Sequence, residues 1–121
     1  MSLTVPQEAL LKTLSVMTRA DTNIQQIEVE AVQKIINDEL GLSVTSAQVH
    51  MAANSEFIER REIDKYLKSV SKQLEQTDKI TIVRCLKNII LSDGQAHSRE
   101  IDMFNKVVDV LKLTPAELVL M

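Results

Sequence analysis

Residues 20–28, with the sequence ADTNIQQIE, have a counterpart in residues 92–100, with the sequence SDGQAHSRE. The offset between them is 92 minus 20, or 72 positions. This offset aligns Asp21 with Asp93 and Glu28 with Glu100. Each segment stands between two stretches with apolar residues at helical spacing, a pattern typical of a loop joining two helices. The chain therefore contains a duplicated helix-loop-helix unit.

The duplication extends beyond the two loops. Leu14 aligns with Leu86, and residues 42–49 resemble residues 113–118 once small length differences are allowed. We predict one domain over residues 1–121, with repeat halves at about 4–53 and 76–121 joined by a helix over residues 55–75. Two copies are too few for a solenoid, so we expect a compact bundle.

Apolar residues recur at helical spacing along most of the chain, and no run of alternating polar and apolar residues predicts a strand. We therefore predict an all-α fold, a compact bundle of about seven helices. Capping signals occur at Thr4 with Gln7, at Thr45 with Gln48, and at Thr114 with Glu117. The predicted helices run from Pro6 to Arg19, from about Ile24 to Leu40, from Thr45 to Ala53, from Ser55 to Glu75, from Thr77 to about Ser92, from Ser98 to Lys112, and from Thr114 onward.

Composition excludes several classes of protein. A net charge of −3 gives no general attraction to nucleic acid or to anionic lipid. The single cysteine, Cys85, cannot form an intramolecular disulfide or a thiolate metal cluster. No apolar stretch predicts a signal peptide or membrane insertion. We expect a cytoplasmic protein with an unidentified protein partner or a second copy as its partner.

The loop segments resemble the signature of the tellurite-resistance B-like domain. Residues 20–28 are similar to its pattern alanine-aspartate-glycine-x-isoleucine-x-x-x-glutamate, and residues 92–100 are similar to a second copy. The resemblance spans nearly the whole chain. It implies an all-helical bacterial domain linked to tellurite resistance and wider stress responses, with a proposed role in metal binding or sensing.

Helical projection places two acidic residues on apolar faces, at about 100° per residue. Glu28 falls between Val32 and Ile35, and Glu100 falls near the middle of the arc around Val107. The other members of that arc are Ile101, Phe104, Val108 and Leu111. Glu30 and Asp102 point to the polar sides. A core-facing carboxylate needs a hydrogen bond or a cation to compensate for its burial.

Two interpretations of these carboxylates remain open. In the first, each glutamate accepts hydrogen bonds from the backbone of the preceding loop and has only a structural role. In the second, Asp21 with Glu28, and Asp93 with Glu100, help to hold a divalent cation through oxygen ligands. Two carboxylates per loop are too few for a tight calcium site, so any cation should bind weakly.

The histidines, the cysteine and the basic residues do not define a further site. His50 has no metal-ligand partner at suitable spacing, whereas His97 could add to the Asp93 site. Cys85 has the pattern of a buried small hydrophobic residue. A basic stripe on the predicted fourth helix could be a solvated face or a docking surface; it contains Arg61, Lys65, Lys68 and Lys72.

No nucleophile elbow, phosphate-binding loop or dinucleotide fingerprint occurs, so the sequence predicts no enzyme and no tightly held cofactor. We expect a non-enzymatic, stress-associated domain that binds a divalent metal through its acidic loops. The alternative is a helical interaction scaffold whose acidic residues are structural.

Overall fold

Helix α1 (Val5–Met17) is the element against which four other helices pack in the computed structural model. The structure describes residues 3–17, 26–53, 63–91 and 98–119. Within these ranges it contains seven α-helices, one short 3-10 turn and no strand, which confirms the all-α prediction. After α1 come α2 (Gln26–Leu40), α3 (Ser46–Ala53), α4 (Ile63–Val70), the 3-10 turn (Ser71–Gln73), α5 (Gln76–Ile90), α6 (Ser98–Leu111) and α7 (Pro115–Val119).

The core forms where α1 meets its neighbours. Helix α1 packs against α2, α3, α4 and α5, while α6 covers α4 and α5 from another side. Leu10, Leu14 and Met17 are buried along one face of α1, as the sequence predicts. The apolar residues that recur at helical spacing in α5 are also buried; they are Ile82, Val83, Leu86, Ile89 and Ile90. Helical periodicity thus places these residues correctly.

The predicted helix starts are confirmed at three threonines. The Gln7 amide N–H donates to Thr4 Oγ1 at 3.3 Å, and the Thr4 N–H donates to Gln7 Oε1 at 3.0 Å. Thr45 makes the same reciprocal pair with Gln48, and Thr114 makes it with Glu117. These bonds satisfy N–H groups that the first turn of a helix leaves without a partner.

The predicted helix from Ser55 to Glu75 is wrong at its carboxyl end, and residues 54–62 lie outside the described ranges. Helix α4 stops at Val70, and Leu74 is extended with φ −104° and ψ 130°. Leu74 nevertheless stays buried, so the apolar spacing continues through a break in the helix. The next helix begins here, since the Glu75 N–H donates to Asp78 Oδ2 at 2.8 Å. The capping contact between Glu75 and Asp78, and not the spacing of apolar residues, therefore determines where the new helix begins.

The buried face of α2 is rotated from the predicted one. On the predicted face, Val32 is almost fully buried, but Ala31 and Ile35 are only partly buried. Val29 and Ile36, which were not predicted, are almost fully buried instead. Ile24 lies outside the described residues, and the Ile27 side chain is not described either. Since α2 contacts α1, α3 and α5, its buried face is set by packing on several sides.

The predicted burial of Ile101 on α6 is wrong. Its exposed fraction is 43%, whereas Glu100, Met103, Val107 and Leu111 form the buried side of the helix. At about 100° per residue, Ile101 lies about 120° from Val107 around the helix. It therefore lies at the edge of the apolar arc, beyond the seam that faces α4 and α5.

Candidate functional site

Glu100 is a buried carboxylic acid at the start of α6. Its exposed fraction is 2%, which agrees with the helical projection from the sequence. Asp102, two residues later, is exposed, as predicted. Because the Glu100 side chain is almost completely removed from water, its carboxylate requires compensation by hydrogen bonds or a positive charge.

The other predicted metal ligands are described only in part. Asp21 and Asp93 lie outside the described residues, as does His97. Glu28 lies within α2, but its side chain is not described. Metal binding by Asp21, Glu28, Asp93 and Glu100 therefore stays a prediction. Among the residues whose side chains are described, no three histidine, cysteine, aspartate or glutamate residues cluster as metal ligands.

A bidentate ion pair connects α2 to α5. The Arg84 guanidinium donates to both carboxylate oxygens of Glu39, with N–O distances of 2.7 and 3.1 Å. The hydrogen bond from Arg84 lowers the pKa of Glu39. The sequence does not predict this pair, because its members are 45 positions apart and no local spacing signals it.

Cys85 follows Arg84 and is fully buried, as the sequence predicts. Burial raises the pKa of its thiol to about 12, and the charge of Glu39 acts in the same direction. Since the thiolate is the nucleophilic form of cysteine, Cys85 is a weak nucleophile at neutral pH.

A second polar contact joins α1 to α4. The hydroxyl of Tyr66 lies 3.4 Å from Glu8 Oε1, and Lys12 Nζ lies 3.0 Å from the same oxygen. Lys12 Nζ also lies 5.0 Å from the centroid of the Tyr66 ring. Burial raises the pKa of Tyr66 to about 12, with a further contribution from the negative charge of Glu8. Only the Glu8–Lys12 spacing of four residues could have indicated part of this cluster.

The predicted basic stripe is exposed where it is described. Lys65, Lys68 and Lys72 face solvent on α4 and the 3-10 turn, and Arg61 lies outside the described residues. His50 is half-buried on α3. These positions fit a solvated face as well as a docking surface.

A cleft of about 360 Å³ with both polar and apolar lining residues lies between the start of α1, the first half of α5 and the end of α2. Its rim includes the carboxylates of Glu39 and Asp78. Glu39 already pairs with Arg84, and Asp78 already accepts the N–H of Glu75. These carboxylates therefore have structural roles at helix ends.

An apolar groove of about 210 Å³ lies between the end of α5 and the first half of α6. Its described lining consists of Lys87, Ile90, Leu91, Ile101 and Phe104. Leu91 and Ile101 are exposed by 57% and 43%. Helical projection does not predict this groove, because it places Ile101 in the core.

These features define a class of protein: an all-helical domain in which a buried acidic residue follows a repeated Asp-containing segment. A family model described as tellurite resistance protein TerB matches residues 7–121, and the chain belongs to this family. The match confirms the family resemblance seen in the sequence. No curated protein and no solved structure matches the chain significantly. Within the described ranges, no helix is both long enough and apolar enough to cross a membrane.

Proposed function

We propose that the chain is a non-enzymatic, cytoplasmic binding domain of a stress response of the tellurite-resistance type, and that it holds a divalent cation weakly. The observation that carries this proposal is the buried Glu100 at the start of α6. A cation within reach of a carboxylate offsets the cost of removing that charge from water. The family description supports the link to tellurite resistance.

The proposed ligands are oxygen atoms, which suit a hard cation such as calcium, magnesium or manganese. Asp93 and Glu100 would supply one site and Asp21 and Glu28 the other, each pair separated by seven positions in the sequence. Two carboxylates per site, with the rest of the shell from water or backbone carbonyls, favour weak and reversible binding. Weak, reversible binding is more typical of a protein that senses a metal than of one that stores it.

The proposal of a non-enzymatic role is supported by the state of the one cysteine. Cys85 combines full burial with a raised pKa, both of which oppose nucleophilic catalysis.

The test is the thermal midpoint of chelator-treated protein as calcium, magnesium, manganese or zinc is added. Binding to the native state alone raises the unfolding free energy by about 1.4 kcal/mol at ten times the Kd. We expect a saturable rise that is reduced in Asp93→Ala and Asp21→Ala. Asp102→Ala, an exposed change on α6, is the matched control and should keep the full rise. An unchanged midpoint at millimolar metal would contradict metal binding.

A second candidate function is an interaction scaffold whose acidic residues are structural. The exposed side chains of Leu91 and Ile101 favour it, because large apolar surfaces kept in water are typical of binding sites. The two functions separate in the metal titration. A scaffold with structural carboxylates shows no metal-dependent rise, although Glu100→Ala still destabilises it.

A further inference from the structure

Two of the three exposed large hydrophobic residues in the described part of the chain line one groove. Leu91 and Ile101 lie on opposite sides of the apolar groove defined above, while the third residue, Met51, is on α3. Phe104 and Ile90 complete its apolar surface. Each Å² of apolar surface kept in water costs about 25 cal/mol, so the cluster carries an unfavourable hydration energy that a bound partner would remove.

The groove has walls of regular structure. Leu91 is the carboxyl-terminal cap of α5, and its N–H donates to the Lys87 carbonyl at 3.1 Å. Ile101 and Phe104 lie in the first two turns of α6, which packs against α5. A surface held by two packed helices loses little conformational entropy when it binds. The groove is therefore preorganised for a ligand.

Lys87 gives the groove a charge preference. It is the one ionisable residue in the described lining, and it lies three and four residues before Ile90 and Leu91 on the same helical face. A ligand that fills the apolar surface and places a carboxylate near Lys87 gains an ion pair at the rim. A lysine or arginine in the same position is repelled.

We infer that the groove docks a short segment of another protein that carries two large apolar side chains beside an aspartate or glutamate. Specific association of two folded proteins usually buries about 800 Å² on each partner, whereas a groove of about 210 Å³ has room for only a few side chains. A peptide-like segment fits this size better than a second copy of the chain. The inference rests on the second candidate function, the interaction scaffold, and is independent of metal binding.

The test uses two synthetic peptides of about ten residues with identical apolar positions for groove binding. One carries glutamate beside the apolar residues and the other carries lysine. Affinity is measured by fluorescence anisotropy with the full chain, and the binding surface is mapped by amide chemical shifts of isotope-labelled protein. We expect saturable shifts at Leu91, Ile101 and Phe104, and tighter binding of the glutamate peptide by about fivefold or more.

Variants of the chain test which side chains of the groove contact the peptide. Leu91→Gln and Ile101→Gln should each weaken binding by about fivefold or more, since both remove apolar contacts of the groove. Lys87→Glu should reverse the preference between the two peptides. Met51→Gln and Lys68→Glu are the matched controls, because they change an exposed apolar residue and an exposed cation outside the groove. Both should bind as the unaltered chain does.

Several results would overturn the inference. These are equal affinity for both peptides, no saturable shift at millimolar peptide, or binding that Leu91→Gln and Ile101→Gln leave unchanged. A concentration-dependent dimer that Ile101→Gln abolishes would assign the groove to a second copy. Binding to phosphatidylglycerol vesicles that Leu91→Gln abolishes would assign it to lipid. The metal-dependent thermal shift, measured on Leu91→Gln, tests the other proposed function separately.

Discussion

At the scale of single residues, Glu100 is the most informative side chain in the bundle. A carboxyl group with 2% exposure is stabilised by its surroundings, whether these are hydrogen-bond donors or a cation. Truncation removes one side of that interaction and leaves a cavity in the seam between α6 and its neighbours. The residue therefore links the fold to the candidate site.

We expect Glu100→Ala to lower the unfolding free energy by about 2–4 kcal/mol. Asp102→Ala, two residues away on the exposed side of α6, should change it by less than about 0.5 kcal/mol. Urea unfolding followed by circular dichroism measures both. Equal effects of the two substitutions would show that Glu100 makes no special contribution to stability.

Among the secondary-structure elements, the end of α2 depends on one glycine. Gly41 has φ +66°, and its N–H donates to the Asn37 carbonyl at 2.9 Å, which ends the helix. A Cβ at this position would meet no atom within 4 Å, so the cost of a side chain is conformational only.

We expect Gly41→Ala to lower the unfolding free energy by about 1 kcal/mol, because alanine adopts positive φ at a cost. Gly41→Asn should cost less, since asparagine tolerates this backbone conformation. Thermal or urea unfolding of the two variants provides the comparison. If Gly41→Asn lowers the unfolding free energy as much as Gly41→Ala does, the positive φ of this residue is not the cause of the destabilisation.

The pairing of α2 with α5 rests partly on Glu39 and Arg84. Their bidentate contact is partly exposed, with side-chain exposures of 25% and 38%, so solvent screens it. A double-mutant cycle with Glu39→Gln and Arg84→Met should give a coupling energy of about 0.5–1 kcal/mol that falls with added salt. Glu8 and Lys12 on α1 provide a second ion pair for comparison. A coupling energy near zero at low salt would show that the contact is not stabilising.

The sequence predicts elements best where the signal is local. The threonine caps and the apolar face of α5 follow from spacings of three and four residues. The break after α4 was missed because Leu74 continues the apolar period although its backbone is extended. The exposure of Ile101 and the Glu39–Arg84 pair depend on how distant helices pack, which no local spacing specifies.

At the scale of the whole molecule, the sequence predicts the fold and family more completely than the candidate site. Periodicity and the repeat indicate the all-helical bundle, and the two Asp-containing segments indicate the family. The burial of Glu100 was also predictable from one helix alone. The apolar groove was not, because it forms where two helices meet and neither helix alone distinguishes an edge residue from a core residue.

The buried Tyr66 hydroxyl and the buried Cys85 thiol should make the fold less stable at high pH. Burial raises the pKa of Tyr66 to about 12 from 10.0, and that of Cys85 to about 12 from 9.0. Unfolding restores the ordinary values, so between about pH 9 and pH 12 the unfolded chain loses protons that the native state keeps. The stabilisation from these groups is fully present below pH 9 and declines as the pH rises through this window.

We expect the unfolding free energy to fall by on the order of 5 kcal/mol between pH 8.5 and pH 11.5 through these two groups. Tyr66→Phe and Cys85→Ala should each flatten this decline, and the double variant should flatten it most. His50→Gln, a change at a half-buried residue of α3 that leaves both Tyr66 and Cys85 in place, serves as the control, and its decline should equal that of the unaltered chain. Urea midpoints at half-unit steps of pH give the slopes. If Tyr66→Phe and Cys85→Ala decline as steeply as His50→Gln, other groups set the alkaline limit of the fold, and burial of these two protons contributes nothing to it.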